Sequence, residues 1–243
     1  MRPASPTPEI AVAFDVASLD QALELDRRIG SGPELAKVGL ELYTAAGPDA
    51  VRALMDRGRR VFLDLKLHDI PNTVRSAARA AGRLGVELLT VHATGGAEMI
   101  AAAVAGGAES GSGTGIVAVT VLTSLDAGDM PPGFERPFVL HETAARLLDM
   151  ATRAGATGIV CSAADLPGLR AIHREWFYAV TPGIRPAAGA RDDQRRVTTV
   201  ADAVRMGSSL LVLGRVVTRA ADPKAALERA RAERDDGVRA LHV

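Results

Sequence analysis

The chain has 243 residues, and its 29 Lys and Arg balance 29 Asp and Glu, so the formal net charge is zero. That balance gives no support for a nucleic-acid or membrane-surface binder, which would carry a basic excess. Hydrophobic residues make up 47% and aromatics only 3%, so the core is built from aliphatic side chains, which suits helices packed on a parallel sheet.

The first nine residues, "MRPASPTPE", are Pro-rich and lack the apolar stretch of a signal peptide. Residues 1–9 are therefore expected to form a short disordered tail. No apolar run approaches the roughly 20 residues of a membrane span, and a cytoplasmic location is the expectation. The single cysteine, Cys161, rules out a disulfide framework and reads as a buried, inert thiol.

Eight β-rich runs then follow in order. They are "IAVAFDV" from Ile10, "LAKVGLEL" from Leu35, "VFLDLKL" from Val61, "LLTVHA" from Leu88, "GIVAVTVL" from Gly115, "GIVCSA" from Gly158, "FYAVTPG" from Phe177 and "LLVLGR" from Leu210. Segments with helical spacing separate them, among them "DQALELDRRIG", "PNTVRSAARAAGRLG" and "ETAARLLDMATRAG", each closing on the glycine common at a helix C-terminus. Eight strand–helix units in this length predict an α/β fold, a single-domain (β/α)₈ TIM barrel spanning residues 10–237. A doubly wound open sheet is the main alternative. Long loops after the fifth strand ("TSLDAGDMPPGFERP") and the seventh ("RPAAGARDDQRRVTT") belong to the C-terminal face, where barrels place their chemistry.

Several motifs can be set aside. "GSGTG" precedes a strand, the reverse of a dinucleotide fingerprint, and no GxxxxGK[ST] loop or G-x-S-x-G elbow is present. His68, His92, His141, His173 and His242 show no paired metal spacing. A carboxylate-built Mg²⁺ site stays open on these grounds.

The strand ends carry the informative residues. In the third run Phe62, Asp64 and Lys66 alternate with Leu63, Leu65 and Leu67, so the charged pair faces the barrel interior while the leucines pack under helices. Buried charges are costly unless paired. A structural ion pair would account for Asp64 and Lys66 alone, but Asp15, Lys37 and Asp69 bring the ionisable groups near one rim to five, more than packing needs. His92 lies at the end of the fourth strand, just before Ala93, and reads equally as a hydrogen-bonded core residue. A second cluster, "TPGIRP…DQRRVTT…LGR", has the character of a phosphate site: Gly183 and Gly214 permit close backbone approach, and Arg185, Gln194 and Arg215 supply donors. Arg195 and Arg196 read as a solvated loop.

"FLDLKLHDIPNTV" together with "VTPGIRP", "DQRRVTT" and "VLGRVVT" resembles the orotidine 5′-phosphate decarboxylase family, from "AVAFDV" through "LGRVVT". The resemblance implies decarboxylation of orotidine 5′-monophosphate to UMP with no metal and no cofactor. It implies that Lys66 protonates the pyrimidine carbon left by CO₂ and that Asp64 lies beside the leaving carboxylate. Lys37 would complete the charge network and touch the ribose, and Asp15 would bind a ribose hydroxyl. Asp69 and Thr73 would reach into a neighbouring subunit's site, implying a homodimer with shared active sites. Thr123 would contact the pyrimidine, and Arg185, Gln194, Gly214 and Arg215 the phosphate. The rival of the same barrel type is a Mg²⁺-dependent sugar-phosphate decarboxylase or aldolase, which carries an acidic residue where this chain has Lys37. A non-catalytic phosphate-ligand barrel would need the phosphate cluster but not the Asp–Lys–Asp array.

Overall fold

The structure, a computed structural model, describes residues 7–32, 34–125, 139–173, 175–185 and 198–241. Eight parallel strands form a closed barrel in chain order, with β8 pairing back onto β1. They are β1 (Glu9–Ala13), β2 (Leu35–Gly39), β3 (Arg60–Leu67), β4 (Leu88–His92), β5 (Gly115–Val119), β6 (Gly158–Val160), β7 (Tyr178–Thr181) and β8 (Leu210–Leu213). The helices are α1 (Leu19–Ile29), α2 (Leu40–Ala46), α3 (Pro48–Met55), α4 (Pro71–Arg83), α5 (Gly96–Glu109), α6 (Leu140–Arg153), α7 (Leu166–Ile172), α8 (Val200–Arg205), α9 (Arg215–Thr218) and α10 (Pro223–Arg239). The open-sheet alternative is thereby excluded.

Local chemistry explains the element ends. Ser18 caps α1 by accepting the Gln21 N–H at 3.2 Å, and Asp222 caps α10 in front of Pro223; each satisfies an N–H that the helix itself leaves unpaired. Beyond α4 and α6 the chain turns at Gly85 (φ +83°) and Gly155 (φ +88°), a left-handed conformation that favours glycine.

The period of two sorts the strand residues into two cores. Outward-facing Val12, Val38, Leu63, Leu89, Ile159 and Leu211 join helix residues such as Leu25, Leu54 and Leu148 in the outer layer. Inward-facing Ala11, Leu35, Phe62, Leu88, Val117, Val180, Leu210 and Val212 fill the lumen. Burying each large side chain contributes about 1.5–3 kcal/mol. Cys161 is buried and unbridged. Below the lumen residues, at the N-terminal ends of the strands, Arg60 pairs with Glu9 at 2.6 Å and with Glu87, and the Tyr178 hydroxyl donates to Glu9 at 3.0 Å. No helix among the described residues is long and apolar enough to cross a membrane.

Several boundaries differ from the expected ones. β1 starts at Glu9, and Pro8 before it is buried, so the end of the stretch read as a tail belongs to the barrel. β2 ends at Gly39 instead of continuing to Leu42: α2 begins at Leu40, burying Leu42 and leaving Leu40 exposed. "GLEL" alternates like a strand, but packing of Leu42 against the outer core decides for helix. The last residues of the first run and of the fifth to eighth runs also leave the ladder, which places Asp15, Thr123, Gly183, Gly214 and Arg215 on the rim. At the other end of the chain, α10 continues to Arg239, two residues past the expected boundary.

Candidate active site

β3 changes geometry where it carries its charges. From Leu63 to Leu67 it advances four residues while its partner β4 advances two, from Leu89 to Val91. Two extra residues are thus accommodated in a bulge, a device that re-aims side chains at a barrel rim. Lys66 lies in it at φ +50°, the one left-handed non-glycine among the described residues. That conformation costs a side-chain-bearing residue about 1–2 kcal/mol, so the surroundings must hold it. Asp64 and Lys66 do face the same side, as the alternation predicts, but the bulge and not a regular pleat brings them together.

Four charges form an alternating row across the rim. The Lys37 ammonium lies 2.9 Å from Asp15 Oδ1 and 3.5 Å from Asp64 Oδ2, and the Lys66 ammonium lies 2.7 Å from Asp64 Oδ1. The middle pair is the more buried: the side chains of Lys37 and Asp64 are 9% and 13% exposed, against 29% for Lys66 and 54% for Asp15. Gly39, next but one to Lys37, leaves the room that this row occupies.

Burial alone would drive each middle group toward its neutral form. For Asp64 it is outweighed by the Lys37 and Lys66 charges and by hydrogen bonds from Lys66 and Thr90, so its carboxyl stays below the usual aspartate range. For Lys37 it is outweighed by the Asp64 and Asp15 carboxylates, which hold the ammonium above the usual lysine range. Lys66 ends the row and, partly open, borders the cavity.

That cavity measures about 690 Å³, within the range of small-ligand sites. Asp15, Lys37, Asp64 and Lys66 form one side, and Gly183, Arg185, Gly214 and Arg215 from the ends of β7 and β8 form another. Its floor is the apolar lumen layer of Phe62, Val160, Val180 and Val212. A side chain at Gly214 would meet open space, so the backbone there stands free to approach a ligand. Thr123, buried, also lines the cavity.

The remaining predicted residues stand apart. Asp69 and Thr73 are exposed, on either side of Ile70 (67% exposed) and Pro71, and neither lines this chain's own cavity. Gln194 lies outside the described residues, as do most of the two long loops. His92 is half-buried with its ring 5.5 Å from that of His68, and it is not among the residues lining the cavity. Burial, then the neighbouring His68 and Lys66 charges, push it below the usual imidazole range.

Thr90 on β4 was missed. It is fully buried, it accepts the Lys66 backbone N–H at 2.7 Å and it donates to Asp64 Oδ1 at 3.0 Å. The signal lay in "LLTVHA", where Thr90 is the polar residue between Leu88 and His92 on the inward face.

The chain matches the family model described as orotidine 5′-phosphate decarboxylase / HUMPS family over residues 8–230. It is 49% identical over 222 residues to the orotidine 5′-phosphate decarboxylase of Anaeromyxobacter sp. (strain K), covering 91% of this chain and 96% of that one. It is 47% identical over 232 residues to the enzyme of the same name from Moorella thermoacetica, covering 93% and 91%. Among solved structures, the orotidine 5′-phosphate decarboxylase of Lactobacillus acidophilus superposes with a TM-score of 0.81 at 36% identity, covering 93% of this chain and 98% of that one. With the barrel, the alternating charges and these similarities together, the chain belongs to the orotidine 5′-phosphate decarboxylase / HUMPS family.

Proposed function

We propose that this chain decarboxylates orotidine 5′-monophosphate to UMP, the last step in making that nucleotide, with Lys66 supplying the proton to C6. The observation that carries the reading is the Asp15–Lys37–Asp64–Lys66 row ending in a partly open ammonium at the cavity wall.

The chemistry sets a clear requirement. When the bond from C6 to the carboxylate breaks, CO₂ leaves and the electron pair stays on C6, where no conjugated sink accepts it. A cation already fixed beside that carbon stabilises the charge without reorganising, and its N–H bond then delivers the proton. Asp64 holds Lys66 in place and, beside the substrate carboxylate, adds a repulsion that CO₂ departure relieves. Lys37 and Asp15 reach the ribose, and Thr123 contacts the pyrimidine. Arg185, Gln194 and Arg215, with the Gly214 backbone, hold the phosphate far from the reacting carbon, where binding energy can be used for closure and orientation.

Asp69 and Thr73 act in the site of a second copy, making the working unit a homodimer with shared sites. Their exposure, and their absence from the lining of their own chain's cavity, support this. A cytoplasmic location fits an enzyme of nucleotide synthesis.

The Mg²⁺-dependent sugar-phosphate reading is not favoured. The Lys37 ammonium occupies the space between Asp15 and Asp64 where carboxylates would otherwise converge on a cation, and it would repel one. The test is the loss of substrate absorbance when purified protein meets orotidine 5′-monophosphate in EDTA, with Lys66→Ala as control. Conversion to UMP by the wild-type chain alone is the expected result. A folded wild-type protein that leaves the substrate unchanged would sink the proposal.

A further inference from the structure

Thr90 ties together the two residues of β3 on which the proposed reaction depends. Its hydroxyl oxygen accepts the backbone N–H of Lys66 at 2.7 Å, and its hydrogen is directed to Asp64 Oδ1 at 3.0 Å, the same oxygen that receives the Lys66 ammonium at 2.7 Å. Backbone N–H, hydroxyl, carboxylate and ammonium thus close a ring that starts and ends on Lys66. The bulge needs such a brace, because the left-handed backbone at Lys66 is unfavourable by itself. Thr90 sits fully buried on β4, whose ladder to β3 resumes only at Val91 and Leu67.

We infer that Thr90 is a positioning residue: it holds Lys66 in its left-handed conformation and fixes the Asp64 carboxylate, so that the ammonium is aimed at the reacting carbon. The inference rests on the decarboxylase reading for its effect on rate, and on geometry alone for its effect on Asp64. The hydroxyl serves two functions at once, one as acceptor and one as donor, so valine of the same shape removes both. Serine retains both.

Groups facing Asp64 come from three strands. Lys37 comes from β2, with Asp15 at the end of β1 behind it; Lys66 comes from its own strand; Thr90 and His92 come from β4. Losing the Thr90 donor removes one of the interactions favouring the ionised carboxylate, so Asp64 would protonate at higher pH.

Wild type, Thr90→Val, Thr90→Ala and Thr90→Ser are to be compared on orotidine 5′-monophosphate across pH, with melting temperature recorded. A parallel ¹³C titration of the Asp64 carboxyl group needs no substrate. Thr90→Val is expected to lower kcat by about 30-fold or more while KM changes by less than about threefold, since misplacing a reacting group by a fraction of an ångström is costly. Its Asp64 titration should move upward, and Thr90→Ser should restore both within about fivefold. Thr90→Ala serves if the valine variant does not fold. Wild-type kcat with an unmoved Asp64 titration in the valine or alanine variant would overturn the inference. So would loss of activity in Thr90→Ser equal to that in Thr90→Val, which would make the role one of packing alone. An inactive wild type would refute the decarboxylase reading, and the carboxyl titration would still decide whether Thr90 fixes Asp64.

Discussion

A Cβ on Gly39 would stand 2.8 Å from the Lys37 ammonium and 2.9 Å from Asp15 Oδ1. The backbone of Gly39 is extended, with φ −97°, so space and not conformation demands glycine here. Gly39→Ala should push Lys37 and Asp15 apart and disorder the row that ends at Lys66. The expected loss in kcat/KM is about 10- to 100-fold, with melting temperature changed by only a few degrees. Steady-state kinetics beside a thermal melt check this, and an alanine variant with unchanged kinetics would show that the row tolerates displacement.

Lys66→Ala should lower turnover by on the order of 10³ or more while leaving the barrel folded, because it removes both the cation and the proposed proton donor. Asp69→Ala should be nearly inactive too, although Asp69 does not line its own chain's cavity. Mixing the two inactive proteins tests the shared site directly. In the proposed homodimer, random reassortment would put half of the dimers in hybrid form with one intact site each, so about one quarter of wild-type activity should return. No recovery, with hybrids demonstrated, would mean that Asp69 works within its own chain.

Arg215 borders the cavity at the end of β8, the strand that pairs with β1 beside the Asp15 end of the charged row. Arg215→Ala should reduce kcat/KM for the nucleotide by about 10- to 100-fold, the size of a lost charge-assisted hydrogen bond. Competition by inorganic phosphate supplies the check: its inhibition should weaken in the variant. Equal inhibition in both proteins would move the phosphate elsewhere.

The pH dependence of stability follows from the two middle charges. Asp64 is held below its ordinary value of 3.8 in the fold. Its contribution to stability is therefore complete above that value and is lost as pH falls through the lower folded pKa. Lys37 is held above its ordinary value of 10.5. Its contribution is complete below that value and is lost as pH rises through the higher folded pKa. Denaturant unfolding should show a plateau between these limits, and Lys37→Met should remove the alkaline fall attributable to this site. An unchanged alkaline limb in that variant would show that Lys37 is not stabilised by its carboxylates.

Away from the cavity, Arg231 on α10 reaches Glu34 at 2.7 Å, and the Glu34 side chain is only 2% exposed. Arg231→Ala would leave that carboxylate buried with less compensation, for a cost of about 3 kcal/mol, the low end for a buried pair because Arg231 is itself partly exposed. The melting temperature should fall by roughly 5–10 °C, with kcat unchanged. A drop in kcat at temperatures where the variant is folded would contradict the separation of this pair from the site.

The strands were legible because aliphatic residues alternate in eight short runs, and the charged interruptions at Asp64 and Lys66 stood out against them. Asp15, Lys37 and the residues after β7 and β8 were legible for the same reason, being polar where a barrel turns toward its rim. What alternation could not express is a bulge: Asp64 and Lys66 were expected to share a face by simple pleating, and the left-handed turn at Lys66 depends on a partner from another strand. Thr90 escaped notice since threonine is common in strands and its two hydrogen bonds span 24 and 26 positions in sequence. The end of β2 was misread because "GLEL" satisfies a strand pattern, and only the packing of Leu42 distinguishes a helix there. Gln194 lies outside the described residues.

Phe62 and the aliphatic side chains around it separate two sets of charges, Glu9, Arg60 and Glu87 below and the active row above. Among the described residues, the side chains of that layer are apolar apart from Tyr178, whose hydroxyl donates to Glu9 on the lower side. The two sets are therefore separable: exchanges at the base should bear on heat tolerance, and exchanges in the upper row on the proposed reaction.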